Sequence, residues 1–322
     1  MTVDASFSSE QLQNCYQEDY FHGKEYVDYL ADEPAQKKTL SQHLKVVRAF
    51  LPRGSRLLEI GCAYGFFLEL IQHEYPDSVG IDIFSAGVAR ARSKGFDARE
   101  GGLLEMDLAE RFDGICLWDT LEHLAQPFEF MARANQLLKP GGYCFLTTGD
   151  FGAWLPRLQG LNWRQIHPPT HLFYFTRTSL RALCQRAGLA PVKFGTVNVH
   201  RRLGSALQAL TRFHAHTLAG RLSALMIRSL PKRILDLCFS LNLGDTVCLV
   251  ARRSDSHSGS ALRALPDRVS NESRDRSRPA LSGEAGRRFA RPIFVGLEIR
   301  HQSMWISPVK NHSPSTLTIS IV

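Results

Sequence analysis

Residues 56–67 read RLLEIGCAYGFF. Apolar residues around one acid, Glu59, run up to Gly61. A small pair, Tyr64, a second glycine at Gly65 and another apolar run follow. The pattern predicts a strand over 56–60, a glycine turn, and a helix opening at Phe66. In a doubly wound sheet, such a corner forms one wall of a nucleotide crevice. A pyrophosphate ligand would require G-x-G-x-x-G, because its oxygens must approach bare backbone at the helix start. Counted from Gly61, those positions hold Gly61, Ala63 and Phe66. Only the first is glycine, and a bulky ring stands where close packing needs none. The turn is therefore a poor dinucleotide site.

The elements on either side alternate. Ser78–Ile81 reads as a strand, Ser85 as a cap for a helix to Lys94, and Phe112–Trp118 as an apolar strand. A helix through Phe128 to Leu138, a Pro140-Gly141-Gly142 turn and a strand Tyr143–Thr148 follow. Strand–helix alternation implies an α/β fold with a parallel sheet covered on both faces. Residues 1–50 are polar, with apolar spacing at Leu40, Leu44, Val47 and Leu51, and predict an N-terminal helical cap. Beyond Thr148, Thr178–Ala187 predicts a helix and Val192–Val199 a strand. Leucines at 203, 207, 210, 218, 222 and 225 predict amphipathic helices across an insertion at about 200–240. Thr246–Ala251 is a last strand. The main domain is thus expected over 51–253. The Ser-, Arg- and Pro-rich stretch 254–322 reads as disordered, apart from the apolar piece Ile293–Ile299.

Seven cysteines occur without a Cys-x-x-Cys pair, which argues against a disulfide framework or a zinc site and for a reducing compartment. Neither a signal peptide nor a run of about 18 apolar residues is evident. The expected location is cytoplasmic, with peripheral contact at the inner membrane face as an addition. The formal net charge of +8 is unevenly placed: Phe151–Leu235 holds thirteen Lys and Arg and no Asp or Glu. Such a stretch is either a solvated basic face or the footprint of an anionic partner.

S-adenosylmethionine poses a different problem from a pyrophosphate. It is a sulfonium cation with an amino-acid head and a ribose, so it needs backbone room and carboxylates. Glu59, Gly61 and Gly65 supply these at the turn. Asp82, twenty-one residues after Gly61 in VGIDIF, supplies an acid that can accept both ribose hydroxyls.

LLEIGCAYGFFLELI, GIDIFSAGVARARSKGFD, FDGICLWDTLEHLAQPFEFMARANQLLKPGGYCFLTT and WRQIHPPTHLFYFTRTSLRALCQRAGL together resemble class I S-adenosylmethionine-dependent methyltransferases of the methyltransferase-domain-23 type. That type is related to the ubiquinone-pathway O-methyltransferases. The resemblance spans about residues 15–253. It implies a Rossmann-like seven-stranded sheet with an antiparallel last strand, Val192–Val199 and Thr246–Ala251 forming the final hairpin around a helical insertion. It also implies that Glu59, Gly61, Cys62, Ala63, Tyr64 and Gly65 form the cofactor loop. Asp82 is then the ribose acid, Ile83 packs on adenine, and Trp118 and Asp119 meet the methionine moiety. Two positions depart from the pattern: Ala63 replaces the middle glycine, and Gly102 replaces the acid that bonds the adenine amino group, leaving that contact to backbone and neighbours such as Leu103.

Methyl transfer is an in-line displacement, so alignment in a dry pocket does most of the work. A hydroxyl acceptor also benefits from a base. His123, His167 and His171 are the candidates, the last two in HPPTH, where two prolines forbid a helical metal pair. No metal is expected; the alternative is a hard divalent cation on Asp119, Glu122 and His123. The reading is an O-methyltransferase acting on a small or lipid-linked, anionic acceptor, with peripheral membrane contact through basic helices at 200–235. The rivals are a non-catalytic binding module, which Gly102 favours, and a nucleic-acid or protein methyltransferase. Nucleic acid is the less expected partner, because the basic helices lack interleaved aromatics.

Overall fold

The computed structural model describes residues 2–4, 29–166, 168, 170–213, 216–254 and 318–320. Strand β1 (Leu57–Ile60) is buried at every position, as expected of a strand covered on both faces. It pairs in parallel with β2 (Val79–Asp82) and β4 (Phe112–Trp118). Strands β3 (Asp97–Glu100), β5 (Leu138–Gly149), β6 (Leu189–Thr196) and β7 (Thr246–Arg253) complete a seven-stranded sheet in the order β3-β2-β1-β4-β5-β7-β6. Strand β7 runs antiparallel to both of its neighbours. This is the expected doubly wound α/β architecture.

Successive residues of β1 feed opposite layers, following the two-residue period of a strand. Leu58 and Ile60 face Met131, Ala134 and Leu137 of α4 (Pro127–Leu137) and Leu180 and Cys184 of α6 (Arg177–Arg186). Leu57 belongs to the other layer, with Leu44 and Val47 of α1 (Glu33–Arg48), Phe67 and Ile71 of α2 (Phe66–Ile71), and Val88 and Ala91 of α3 (Ser85–Ser93). Helix α5 (Trp154–Gln159) follows β5.

Several local expectations change. Ser85 does not cap α3. Its Oγ donates to Glu100, while Asp82 takes the N–H of Phe84. Pro140-Gly141-Gly142 lies inside β5, where the register against β4 shifts between Phe112 and Gly114. It is an irregularity within a strand rather than a turn before one. Strand β3 was not expected, because DARE carries one apolar residue and sits at the sheet edge.

The insertion between β6 and β7 is not purely helical. It contains α7 (Leu203–Phe213), α8 (Leu218–Ser229) and α9 (Lys232–Leu235), framed by an antiparallel pair, Val199–Arg202 with Cys238–Leu241. Helix α1 is stitched to this frame. Gln42 Nε2 donates to the Asn198 carbonyl (3.1 Å), His200 N donates to Thr39 Oγ1 (2.9 Å), and Arg202 and Ser205 both meet Asp32. Most of 254–322, including Ile293–Ile299, and most of the first 28 residues lie outside the described residues. Thr2–Asp4 pairs with Thr318–Ser320. Among the described residues the cysteines are free, and no helix is long and apolar enough to cross a membrane.

Candidate functional site

The turn after β1 is held by backbone bonds to the end of β2. The N–H groups of Gly61 and Cys62 both donate to the Ile81 carbonyl, at 2.9 and 3.1 Å. Gly61, Ala63 and Gly65 all adopt positive φ, at 80°, 44° and 74°. For Gly61 and Gly65, space adds to that requirement. A Cβ on Gly61 would lie 2.7 Å from Thr120 Oγ1, and one on Gly65 would lie 2.8 Å from the Ala91 methyl. Ala63 bears the left-handed geometry despite its Cβ, at some cost in strain.

Asp82 closes the turn. Its Oδ2 accepts the Ala63 N–H (2.7 Å) and its Oδ1 the Phe84 N–H (2.8 Å). The carboxylate therefore bridges the loop after β1 and the start of α3. Burial pushes it up, against the pull of those N–H groups. Glu59 is buried beside it, one oxygen without a partner, and burial plus the charge of Asp82 push it well above the ordinary carboxylate range. A crevice with a partly satisfied carboxylate and a wholly unpaired carboxyl oxygen suits a cationic ligand rich in hydroxyl donors. That donor set fits S-adenosylmethionine.

The other loop residues have distinct fates. Cys62 is buried, its thiol pushed up by burial and turned against Gly80. Tyr64 packs in an aromatic group with Phe66, Phe84 and Tyr29. Ile83 is 41% exposed next to Asp82, as an adenine-packing residue would be, and Leu103 is buried. At Gly102 the Glu105 carboxylate fills the space a side chain would take. An acid thus stands at the position where Gly102 lacks one. Sequence spacing hid it, since Glu105 lies three residues on.

At the end of β4, Trp118 is buried and Asp119 turns outward with φ 49°. Asp119 N–H donates to the Thr147 carbonyl and to Thr147 Oγ1. Thr120 Oγ1 donates to carbonyls on both strands, Ile60 (3.2 Å) and Trp118 (3.0 Å). A residue absent from the sequence reading completes this corner. His43 of α1 is 1% exposed and stacks on Trp118 with ring centroids 4.4 Å apart. Its only sequence signal is a place on the buried stripe of α1, one helical turn from Thr39 and from Val47.

The candidate bases are partly gathered. His123 Nδ1 lies 2.8 Å from the Thr170 carbonyl. A carbonyl only accepts, so Nδ1 carries the proton and Nε2 the lone pair. His171 meets His123 edge to face at 4.6 Å, and the N–H groups of Leu172 and Phe173 fasten that loop to the Glu122 carbonyl. His167 lies outside the described residues. Among the described residues, the group whose ligand atoms fall within 4.8 Å of one another is Glu122, His123 and His171. Asp119, at its outward left-handed turn, is not part of it. Glu122 is buried, with one oxygen unpartnered, and burial followed by the Asp119 charge pushes it up to about 8.

Asp150 and Asp245 are each tied to an arginine. Asp150 accepts from Arg177 Nε and Gly152 N, both at 3.0 Å. Asp245 holds Trp163 Nε1 (2.8 Å) and Arg164 (2.9 Å).

A methyltransferase-domain family model matches residues 32–193. The chain is 30% identical over 183 residues to a ubiquinone biosynthesis O-methyltransferase of Cereibacter sphaeroides, covering 52% of this chain and 71% of that protein. A protein of the same name from a Ruegeria species is 30% identical over 193 residues, with the same coverage. Among solved structures, a Haloferax volcanii complex of the Trm112 methyltransferase activator with a methyltransferase gives a TM-score of 0.50 at 16% identity. That match covers 73% of this chain and 98% of that one, and it speaks to the fold alone.

Proposed function

The chain belongs to the methyltransferase-domain family and is a methyltransferase dependent on S-adenosylmethionine; from that premise we propose that it methylates a hydroxyl oxygen on a small or lipid-linked acceptor. The cofactor supplies the electrophilic methyl group. Asp82 provides the anionic wall with the buried Glu59 carboxyl beside it, and Ile83, Leu103 and Glu105 would line the adenine side. In this reading His123 or His171 takes the hydroxyl proton, the His123 Nδ1 contact with the Thr170 carbonyl supporting Nε2 as the accepting nitrogen. Both Ubiquinone biosynthesis relatives are named O-methyltransferases, which favours oxygen as the nucleophile.

The observation that carries the lipid-linked part is the insertion. Helix α8 leaves Leu218, Leu222, Leu225 and Met226 exposed at 74, 50, 60 and 40%. These recur at i, i+4, i+7 and i+8, one face of a helix. Arg221 and Arg228 flank them, and no acid lies between Phe151 and Leu235. An apolar stripe on a basic helix is the pattern of a segment that lies in an anionic membrane interface. An acceptor with an isoprenoid tail would be met there.

The test follows transfer of a labelled methyl group from S-adenosylmethionine to dihydroxylated aromatics with and without a prenyl tail, with anionic vesicles present or absent. A methyl ether formed faster on the tailed acceptor, and faster with vesicles, is expected. Label on nitrogen or carbon, or equal rates on both acceptors, would overturn the reading. Leu222→Ser with Leu225→Ser should abolish the vesicle effect and leave turnover of the tail-less acceptor intact.

A second reading is favoured by the Glu122, His123 and His171 cluster. Its two imidazoles and one carboxylate suit a borderline divalent cation such as zinc better than a hard one. The buried, unpartnered Glu122 oxygen is consistent with a missing ligand. A cation there would polarise an acceptor hydroxyl. Metal analysis of the purified protein against Glu122→Gln decides it: equal metal content in both would remove the reading.

A further inference from the structure

The joint between α1 and the strand Val199–Arg202 borders an open cavity of about 380 Å³, lined by Lys38, Ser41, Gln42, Lys45, Asn198 and His200. The amide and imidazole acceptors of that lining are used up within the joint. Gln42 Oε1 takes the Asn198 N–H (3.3 Å), and Gln42 Nε2 donates to the Asn198 carbonyl (3.1 Å) and to His200 Nδ1 (3.2 Å). Asn198 Oδ1 takes Asn242 Nδ2 (2.7 Å). The hydrogen bonds of His200 run through its backbone N and Nδ1. Because Nδ1 accepts, the proton of the neutral ring lies on Nε2. The cavity is thus left with donors: the His200 Nε2–H, the Asn198 amide NH2 and two lysine ammonium groups.

The charge of the cavity is uncompensated. Elsewhere on α1, Lys37 is paired with Glu33 and Glu69, and Arg48 with Glu74. Lys38 and Lys45 make no ion pair among the described residues, and no acid lines the cavity. The facing wall belongs to Phe151–Leu235, which holds no Asp or Glu, so that wall has nothing to neutralise them. Lys38, Ser41, Gln42 and Lys45 recur at i, i+3, i+4 and i+7 and share one face of α1. The two lysines are about 10 Å apart along the axis, and their flexible four-carbon stems let both ammonium groups close on one anion. Burial and then the charge of Lys38 push the His200 imidazole down, which keeps the ring neutral and its Nε2–H a donor.

We propose that this joint binds a phosphate monoester, Lys38 and Lys45 neutralising its charge and His200 Nε2–H donating to one of its oxygens. A monoester carries close to two negative charges and three terminal acceptor oxygens, which matches two ammonium groups and one ring N–H. A carboxylate offers one charge and two oxygens. The phosphate belongs to a soluble monoester or to a phosphatidate headgroup, whose chemistry at the site is the same. The lysines come from α1 and the imidazole from the insertion, so the bound anion fastens one to the other. The inference does not depend on which acceptor is methylated.

The test titrates the full chain with phenyl phosphate by calorimetry in about 0.15 M chloride, where exposed charges beyond about 8 Å are screened. Saturable binding of one phosphate per chain is expected. Lys38→Gln with Lys45→Gln should weaken it at least about tenfold, while Arg157→Gln with Arg233→Gln, which removes the same charge from exposed sites elsewhere, should stay within about twofold. Both lysines are exposed, so their replacement leaves the core untouched. His200→Phe should also weaken binding, at unchanged net charge. Absence of saturable binding, or equal loss in the two double variants, would overturn the proposal. The source is separated with phosphatidylcholine vesicles carrying phosphatidate or phosphatidylglycerol at matched surface charge. A preference for phosphatidate that needs Lys38 and Lys45 and is competed by phenyl phosphate identifies the headgroup. Phenyl phosphate binding without that preference identifies a soluble ligand.

Discussion

Replacing Gly61 by alanine probes the corner on which the crevice is built. The residue has φ 80°, where a Cβ costs about 1–2 kcal/mol by backbone sterics alone. That Cβ would also lie 2.7 Å from Thr120 Oγ1 and 3.0 Å from its Cγ2. Thr120 cannot simply rotate away, because its hydroxyl bonds the Ile60 and Trp118 carbonyls. Giving up those bonds costs about 1 kcal/mol more, and an off-rotamer side chain adds up to about 1 kcal/mol. Gly61→Ala should therefore lose about 2–4 kcal/mol. The background Thr120→Ala separates the parts. With the hydroxyl and methyl gone, the nearest atom to the new Cβ is the Thr120 Cβ at 3.5 Å, an ordinary contact. Only the backbone term should remain, so Gly61→Ala should cost about 1–2 kcal/mol less there. Urea unfolding of the four proteins in a double-mutant cycle measures this directly. Equal costs in the two backgrounds, or a loss under about 0.5 kcal/mol for Gly61→Ala in the native background, would refute the account of the corner.

Three further outcomes follow from the charged groups. Asp82→Asn keeps an acceptor for one of the two N–H groups but loses the charge. Two charge-assisted bonds to a ribose are then weakened, and S-adenosylhomocysteine affinity should fall about 10- to 100-fold by calorimetry. The His43 imidazole sits at about 4 when folded against 6.5 when unfolded, so as pH falls through that window the unfolded chain takes up the proton first. Stability should drop between pH 6.5 and about 4, by about 3 kcal/mol in all, and that drop should be missing from the stability curve of His43→Phe measured by denaturant unfolding. Glu122 has the opposite sign: its folded value is raised to about 8, so its contribution is present at low pH and lost as pH rises from about 4.5 to 8. Glu122→Gln should accordingly gain stability relative to the parent as pH rises through that range, which thermal melts at pH 5 and pH 8.5 would show.

Much of this molecule is written locally. The glycines at 61 and 65, Asp82 and the apolar runs of β1, β4 and β7 each carry their own signal, because turn geometry and two-face burial act on a few adjacent residues. What escaped reading depends on distant partners. Strand β3 is stabilised by β2 rather than by its own polar sequence. The strands Val199–Arg202 and Cys238–Leu241 find each other across three helices, and the His and Arg residues of the first gave no strand signal. His43 lies on a helical stripe that reads as core until its stack on Trp118 is seen. Glu105 reaches Gly102 only because the chain curls back after β3. Which of the histidine candidates meet depends on the Leu172 and Phe173 bonds to Glu122, contacts between residues about fifty positions apart.

The path of the chain at the far edge of the sheet has a consequence for how this scaffold changes. Thr196, where β6 ends, lies directly opposite Val247, where β7 is under way. Everything between them leaves from and returns to one rung of a ladder. A tight two-residue link could join those strands with their pairing unaltered, so the whole excursion behaves as an exchangeable cassette. Swapping it would leave the Gly61 turn and Asp82 in place and would replace the partners that Asp32, Thr39 and Gln42 now find in it.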